Sequence, residues 1–415
     1  MTLKNLTTLA AFEQIGQQSL TIDAASLYQA FEQVKDRRGK KGKRYPLAFI
    51  LTLIMLGKMA GQTKIEGIID WINERKDQIR KLFHWPKSFP SNWAYTNALA
   101  HCDDQEIVKV IAQVILKARA VEKCGDEPSR LLSQNQDGEN LIHTAMDGKT
   151  MRGTLKHRRD DQPSVHLLSL YECESGIVIA HISVKEKENE ITATPTLLYP
   201  ALVKGRIITA DALHTQKKFC AIVHVYGGYY LLIAKGNQPQ MQADLLDFFE
   251  DKDIDQGEWE YYKKVQKGHG RLEVREIWTS TQMNEWFEGE WAGIAQVFKI
   301  RRYVNEGEEE REKIVYGITS LPRRKANAQR VLELNQKHWS IENRLHHRRD
   351  VTLSEDASQV RTNGAPEVLA ALNGGLLALM DFIGVKNVAK QMRHFCAQPQ
   401  EALQLLLGKL SRENG

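Results

Sequence analysis

Residues 205–216, GRIITADALHTQ, decide the fold class, because a short continuous apolar run ends there at an acidic residue. A run of this kind predicts a central strand that is covered on both faces. In α/β folds, ligands bind at the carboxyl ends of such strands. Asp211 is therefore a candidate functional residue, although an aspartate at this position also suits the N-cap of a following helix.

The segments around this strand predict an α/β sheet. Apolar or alternating runs predict four more strands, and periodic apolar positions predict helices between them. The strands are expected at 141–146, 165–171, 177–184 and 229–234, and the helices at 192–199 and 215–226. The resulting order, β-β-β-α-β-α-β and then a helix, resembles that of a ribonuclease-H-like α/β sheet.

The rest of the chain divides by composition. Periodic apolar positions predict helices at 27–31, 47–59, 65–72 and 107–118, and residues 124–140 are polar and predict a linker. Four strand-like runs fall within 257–320, a charged helix is expected at 325–350, and 365–410 is mostly helical. We therefore predict a helical N-terminal domain (1–125), an α/β catalytic domain (140–385) with a β-rich insertion at about 245–322, and a helical C-terminal tail (386–415).

Asp147 and Glu342 are the other two candidate acids. Asp147 follows the apolar run LIHTAM and precedes a glycine, so it is either a functional acid at a strand end or part of a hairpin turn. Glu342 lies in NQKHWSIENRLHHRRD, where helical spacing puts it on one face with His338, His346 and Arg349. That face is either part of a site or a solvated surface of ion pairs.

Three carboxylates brought together repel one another, which raises their pKa values unless cations neutralise them. Mg²⁺ prefers oxygen ligands and takes one or two carboxylates, leaving its other positions to water and substrate oxygens. Two such ions about 3.5–4 Å apart can activate an attacking oxygen and stabilise a leaving one in phosphodiester cleavage. We therefore expect Asp147, Asp211 and Glu342 to be catalytic residues and ligands of two Mg²⁺ ions, with Mn²⁺ as an alternative, and we expect no small-molecule cofactor.

Basic residues near these acids and in the N-terminal region are candidates for binding double-stranded DNA. Residues 35–44, KDRRGKKGKR, hold seven cations and one anion, and clustered cations bind phosphate backbones without reading sequence. The alternative for such a run is a solvated surface loop. The candidate DNA-binding residues are Lys149, Arg152, Lys235, His338, His346 and Arg349 near the acids, and Arg37, Arg38, Lys40, Lys41, Lys43 and Arg44 in the basic run.

The bulk composition is that of a globular protein. The chain has 415 residues, of which 42% are hydrophobic, and a formal net charge of +5, so a large core is feasible. Its five cysteines form no C-x-x-C pair, which argues against a zinc ribbon and a disulfide scaffold and fits a reducing cytosol. The apolar stretches 46–56 and 368–383 are too short or too interrupted to span a bilayer, which takes about 20 apolar residues. We expect both to be buried helices, no membrane partner, and a cytoplasmic, nucleoid-associated protein.

Several motifs occur in the order seen in one family of enzymes. They are DGKTMRG (147–153), ITADALHTQ (208–216), YLLIAKGNQP (230–239), GHGRLEVRE (268–276), HWSIENRLH (338–346), DVTLSEDAS (350–358) and NGAPE (363–367), with FEQVKDRRGKKGKRYPLAFILTLIMLGKMAGQ (31–62) and IIDWINERKDQI (68–79) before them. In this combination the chain resembles the H-repeat-associated family of DDE insertion-sequence transposases over residues 15–385.

The resemblance implies that Asp147 and Asp211 are the two aspartates of the family's acidic triad and that Glu342 is the glutamate. It also implies a Mg²⁺ requirement, DNA strand cleavage and transfer at terminal inverted repeats, and a β-rich insertion before the glutamate helix. Because a transposase holds two DNA ends together and joins them to target DNA, we expect a homodimer in the assembled complex.

The chain departs from the pattern Tyr-x2-Arg-x3-Glu-x6-Lys that many such transposases carry around the glutamate. Asn335, His338, Glu342 and Arg349 occupy those positions, so only the glutamate and the final cation are kept. Asp350 is the best substitute if Glu342 is not the third acid. Two other hypotheses stay open: a catalytically silent or domesticated DNA-binding protein, and a ribonuclease-H-like nuclease of another kind, such as a junction resolvase.

Overall fold

The structure is a computed structural model. It describes residues 26–83, 88–124, 141–154, 165–184, 188–251, 253–268, 271–307 and 309–408. The predicted linker at 124–140 lies almost wholly outside the described residues.

The described strands are those that the sequence predicts, with small shifts at their ends. They are β1 (Ile142–Thr150), β2 (His166–Glu172), β3 (Ile177–Val184), β4 (Arg206–Ala210), β5 (Tyr229–Ala234), β6 (Glu260–Gly268), β7 (Arg271–Ser280), β8 (Gln296–Glu306) and β9 (Glu309–Thr319). The four strands expected within 257–320 are therefore confirmed as β6 to β9.

Helices lie at or near the positions where apolar periodicity predicts them, and others, such as Lys76–Phe83, Asn92–Ala100 and Pro239–Glu250, were not predicted. They are α1 (Leu27–Glu32), α2 (Leu47–Met59), α3 (Ile65–Glu74), α4 (Lys76–Phe83), α5 (Asn92–Ala100), α6 (Asp104–Cys124), α7 (Glu190–Leu197), α8 (Pro200–Val203), α9 (Lys217–Val225), α10 (Pro239–Glu250), α11 (Asn284–Phe287), α12 (Ala328–His338), α13 (His347–Val351), α14 (Ala365–Phe382), α15 (Val388–Ala397) and α16 (Pro399–Leu407). A π-helix covers Ile341–His346, and short 3₁₀ helices include Lys40–Arg44, Arg152–Thr154, Ala212–His214 and Glu355–Ala357.

The chain divides into two compact units, each made of segments that are not adjacent in sequence. Within the described residues, we call 141–147 and 190–340 the sheet unit, and 26–124, 148–189 and 341–408 the helical unit. Strand β1 belongs to the sheet unit up to Asp147 and to the helical unit from Gly148 on.

In the sheet unit the strand order is β1-β4-β5-β9-β8-β7-β6. β1, β4 and β5 are parallel, and β9 joins them antiparallel to β5, with Leu231 opposite Thr319. The four strands β6 to β9 thus extend the same sheet. Helix α12 packs on one face, where Val331, Leu332 and Leu334 share an apolar core with Ile207 and Leu231.

In the helical unit, the end of β1 is followed in the sheet order by β2 and β3, which pair antiparallel. Every residue of α2 is buried. Helix α14 is long and apolar enough to cross a membrane, but 89% of it is buried inside the protein, and a core helix has the same composition. The expectation that 46–56 and 368–383 form buried helices is therefore confirmed.

Two local expectations are wrong. Strand β1 does not end at Asp147 but continues to Thr150, because strand pairing overrides the turn preference of Asp-Gly. The single charged helix expected at 325–350 is interrupted by a turn at Trp339 and then by the π-helix Ile341–His346. A π-turn bonds residue i to i+5, so side-chain directions beyond it no longer follow α-helical spacing.

Candidate active site

Asp147 and Asp211 lie on neighbouring parallel strands of the sheet unit. The β1–β4 register pairs Met146 with Ala210. Asp147 follows Met146 and Asp211 follows Ala210, and the backbone at Asp211 stays extended. Neighbouring strands are about 4.8 Å apart, and side-chain directions alternate with period two. The two carboxylates therefore occupy adjacent positions on the same face of the sheet.

Lys235 lies beside this acid pair. It follows β5, which pairs parallel with β4, and its Nζ is 3.6 Å from Oδ1 of Asp211. Both side chains are about half exposed, at 48% and 58%. A cation in this position is accessible to a phosphate as well as to the aspartate.

His338 is the third group that the sheet unit brings to the aspartates. It ends α12, and its Nδ1 is 3.0 Å from Oγ1 of Thr209. Burial lowers the pKa of His338, whereas the charges of Asp147 and Asp211 raise it, and the net direction is down. Both carboxylates are thus within electrostatic range of an imidazole that stays neutral at physiological pH.

Sequence reasoning missed two residues beneath His338. Thr209 is buried on β4, and its Oγ1 is 2.9 Å from Nε2 of His143, which is buried on β1. Their positions could have been found from strand periodicity, since His143 and Thr209 lie two or four residues before the aspartates and so share their face.

A second histidine, His214, was also missed. It is buried after β4, with its Nε2 3.0 Å from Oε2 of Glu190 and its Nδ1 3.3 Å from Oγ1 of Thr194. Its electrostatic interaction with His338 contributes to lowering the pKa of His338. The pair of His214 and Glu190 therefore borders the same group of residues.

Glu342 lies in the helical unit, in the first turn of the π-helix. Its side chain is exposed, and it makes no hydrogen bond or ion pair within the part of the chain that the structure describes. An exposed carboxylate of this kind is available to a metal ion or to DNA.

The expectation that Glu342 shares one helical face with its basic neighbours is wrong. Glu342 is exposed, whereas His346 and Arg349 are buried, because the π-helix changes the direction of the residues that follow. The Arg349 guanidinium contacts Glu355, with Nη2 2.7 Å from Oε1, and Asn373 donates to the same carboxylate at 2.8 Å. This location favours a structural role for Arg349 over contact with DNA.

Lys149 is also held by acids of the helical unit. Its Nζ lies 2.6 Å from Asp350 and 3.6 Å from Asp356, and its side chain is only 8% exposed. Arg152 is exposed, with its backbone N–H donating to Asp356 and its guanidinium 3.8 Å from that carboxylate. Arg152 is therefore more accessible than Lys149.

The basic run Arg37–Arg44 has both accessible and engaged members. Arg38 is buried and pairs with Asp36, and Arg37 pairs with Asp103 and Glu106. The exposed cations of the 3₁₀ helix are Lys40, Lys41, Lys43 and Arg44. These four residues form the accessible basic segment of the N-terminal region.

In the described ranges, no group of three or more histidine, cysteine, aspartate or glutamate side chains is arranged to hold a metal ion. Asp147 and Asp211 are two carboxylates at adjacent strand positions. That donor set fits Mg²⁺, which takes one or two protein carboxylates and completes its octahedron with water and phosphate oxygens.

Comparison with known families decides the class of protein. The model of the transposase DDE domain matches residues 139–379. The chain belongs to the transposase DDE domain family. A second family model, described as DDE_Tnp_1-associated, matches residues 28–115 of this transposase.

Several relatives of this DDE transposase are named as transposases. It is 28% identical over 375 residues to "Putative transposase YncI" of Escherichia coli O157:H7, covering 89% of the chain and 90% of the relative. It is 33% identical over 245 residues to "H repeat-associated putative transposase YhhI" of Escherichia coli K12, covering 57% of the chain and 63% of the relative. The resemblance to the H-repeat-associated family is thereby confirmed, and the protein is a DNA-cleaving enzyme of transposition.

A solved structure of a piggyBac transposase synaptic complex with hairpin DNA is also similar to this transposase. The match covers 98% of this chain and 79% of the piggyBac transposase chain, with 12% sequence identity and a TM-score of 0.39. Similarity at that level supports no conclusion about the fold.

Proposed function

We propose that this transposase cleaves DNA at the terminal inverted repeats of its element and transfers the strand to target DNA, with Asp147, Asp211 and Glu342 as its catalytic acids. The observation that carries the proposal is the pairing of Met146 with Ala210, which sets two aspartates side by side next to His338 and Lys235. Two adjacent carboxylates with a neighbouring cation suit the recognition of a metal-bound phosphate.

Chain connectivity supports Glu342 as the third acid. Glu342 follows His338 by four residues, and an extended chain spans at most about 14 Å over that length. Because His338 is in electrostatic range of both aspartates, the chain allows the glutamate to join them. Glu342 is exposed and has no hydrogen-bond or ion-pair partner among the described residues, which is consistent with a side chain that binds metal and DNA.

The order of elements supports a ribonuclease-H-like catalytic domain. Three strands, β1 to β3, are followed by α7, β4, α9 and β5, and α12 comes later with the glutamate segment after it. The parallel trio β1-β4-β5 ends at the side where both aspartates lie. The strands β6 to β9 would then be an elaboration of this domain between β5 and α12.

Two Mg²⁺ ions, or Mn²⁺ in their place, would activate the attacking oxygen and neutralise charge on the leaving one. Asp147 and Asp211 would hold the metals from the sheet, and Glu342 would complete the set. Lys235 would exchange its contact with Asp211 for a phosphate oxygen once metal charge neutralises the carboxylate.

The accessible cations are the proposed DNA contacts. Arg152 and Lys235 would hold phosphates near the acids, and the exposed segment Lys40–Arg44 would hold flanking duplex through its charge. Lys149, Arg38 and Arg349 are instead buried against acids, so we assign them the positioning of neighbouring segments. A homodimer would bring two such sets of contacts to the two ends of the element.

The test is an in vitro assay of cleavage and strand transfer. The substrate is a labelled duplex carrying the inverted repeat that flanks the gene, incubated with a target plasmid and with Mg²⁺, Mn²⁺ or Ca²⁺. We expect nicked and joined products with Mg²⁺ and Mn²⁺ that Asp147→Asn, Asp211→Asn and Glu342→Gln each reduce by several orders of magnitude, with DNA binding retained.

Asp247→Asn, which changes an exposed acid on α10, is the matched control and should cleave like the wild type. Cleavage of branched DNA without joining would favour a junction-resolving nuclease. DNA binding without products, unaffected by the three substitutions, would favour a silent or domesticated DNA-binding protein.

A further inference from the structure

Three side chains of the sheet unit form a hydrogen-bonded series beneath the acid pair. His143 Nε2 lies 2.9 Å from Thr209 Oγ1, which lies 3.0 Å from His338 Nδ1. His143 and Thr209 are each 1% exposed. Among the described residues, the Thr209 hydroxyl has no hydrogen-bond partner besides these two imidazoles. It therefore donates its one proton to one ring and accepts from the other, and the series runs in one direction.

The unbonded ring nitrogen of His143 decides in which direction the hydrogen bonds of the series run. Its Nδ1 is buried and has no hydrogen-bond partner, and burial holds the pKa of His143 well below its usual value, so the ring is neutral. Among buried backbone groups, an orphaned N–H is rarer than an under-satisfied acceptor, and we apply the same preference to the ring nitrogen of His143. The proton of His143 therefore belongs on Nε2, where it is donated to Thr209.

With that direction fixed, the other two protons follow. Thr209 accepts from His143 and donates its hydroxyl proton to Nδ1 of His338, so a neutral His338 carries its own proton on Nε2. The hydrogen-bond series alone therefore assigns the Nε2-protonated tautomer to a neutral His338.

We propose that His143 and Thr209 are positioning residues that fix His338 as its Nε2-protonated tautomer, so that His338 donates a hydrogen bond to a non-bridging oxygen of the DNA phosphate bound at the acid pair. This inference rests on the proposed function for the choice of phosphate, and on the hydrogen-bond series alone for the tautomer. In the described residues, Nε2 of His338 has no protein partner, so the donor is free for a ligand.

The arrangement has a physical advantage over a cation in this place. A neutral donor does not compete with a metal ion for the aspartates, and an added cation only strengthens the neutral form of the ring. A preorganised donor aimed at developing phosphate charge stabilises a transition state without reorganisation. The two buried residues beneath it hold the ring and its tautomer, as outer partners do for ligand histidines.

The tautomer is tested in the full-length protein without DNA. Two-bond ¹H–¹⁵N spectra of histidine-labelled protein distinguish Nε2–H from Nδ1–H rings, and the signal lost in His338→Gln identifies His338. We expect Nε2–H for His338 in the wild type and in Thr209→Ser, and a mixture or reversal in Thr209→Val. A wild-type ring protonated on Nδ1, or a spectrum that Thr209→Val leaves unchanged, would overturn the proposal.

The phosphate contact is tested by kinetics and by the same spectra. On the inverted-repeat duplex, we expect His338→Phe to lower kcat by about 10²–10³-fold, with His338→Gln, which keeps a donor, rescuing part of the loss. Thr209→Val should lower kcat by roughly tenfold with little change in KM, and Thr209→Ser should restore it. Adding the duplex with Ca²⁺ should shift the His338 Nε2 signal.

Thr279→Val is the matched control, because Thr279 is a buried threonine of the same unit whose hydroxyl has no partner. If Thr279→Val and Thr209→Val lower kcat equally, Thr209 contributes only packing, and the positioning role is wrong. If the wild type cleaves no DNA, the proposed function fails, while the spectra still decide the tautomer. If cleavage occurs but His338→Phe retains full kcat, the phosphate contact fails alone.

Discussion

Removing one partner of the buried ion pair between Arg349 and Glu355 should destabilise the protein strongly, whereas removing both should not. The Arg349 and Glu355 side chains are 2% and 1% exposed, with Nη2 2.7 Å from Oε1 and Nε 2.9 Å from both oxygens. Asn373 donates a further hydrogen bond to Glu355. Arg349→Met would leave the carboxylate with only that amide and more distant charges.

Breaking a buried pair on one side costs about 3–5 kcal/mol, and replacing both members by apolar side chains is often neutral or stabilising. At about 2.1 cal/mol/K of unfolding entropy per residue, the 415-residue chain would lose about 3–6 °C in Tm if it unfolded as one. The double variant Arg349→Met with Glu355→Met should recover most of that loss.

The assay is differential scanning calorimetry of the three proteins at pH 7, together with their affinity for the inverted-repeat duplex. The structural role predicts a lower Tm in the single variant, recovery in the double variant, and equal DNA affinity in the folded proteins. A single variant with the Tm of the wild type and a large loss of DNA affinity would refute this reasoning, and would return Arg349 to the DNA contacts.

Three further predictions concern stability and DNA binding. Burial lowers the pKa of Lys58 to about 8 from 10.5, so the stability that its neutral form gives is complete above pH 10.5 and is lost as the pH falls through 8. Denaturant melts at pH 7 should therefore find Lys58→Met more stable than the wild type by about 3 kcal/mol. Above pH 10.5 the variant should show no gain. Gly317→Ala would put Cβ 2.3 Å from the carbonyl oxygen of Leu232 and should cost about 1–3 kcal/mol in the same melts, whereas Gly268→Ala, with nothing within 4 Å, should be neutral. Replacing the four exposed cations of Lys40–Arg44 by glutamine should weaken DNA binding and make the slope of log K against log salt shallower by about 3–4; an unchanged slope would place this segment off the DNA.

The strands of the sheet unit could be predicted because their sequences fit one environment. β4 and β5 are short apolar runs whose residues are nearly all buried, so pattern and burial agree. Asp147 was harder, since Asp-Gly favours a turn locally. Its place inside β1 depends on pairing with strands that are distant in sequence.

The surroundings of the basic side chains could not be predicted from local sequence. The acids that engage Arg37 and Lys149 come from about 65 or 200 residues away, and no spacing rule reveals such contacts. The π-helix at Ile341–His346 has no apolar signature either. Consequently the two aspartates could be proposed from their place on the strands, whereas exposed and buried cations could be separated only by the fold.

The central claim is that Asp147, Asp211 and Glu342 bind the same divalent metal ions. Localised hydroxyl-radical cleavage tests it directly: Fe²⁺ replaces Mg²⁺ in the protein bound to its inverted-repeat duplex, ascorbate and peroxide are added, and backbone cuts are mapped by mass spectrometry. The account predicts cuts clustered around residues 147, 211 and 342, all suppressed by excess Mg²⁺ and by Asp147→Asn. Cuts near the two aspartates with none near Glu342, or cuts near Asp350 instead, would contradict it.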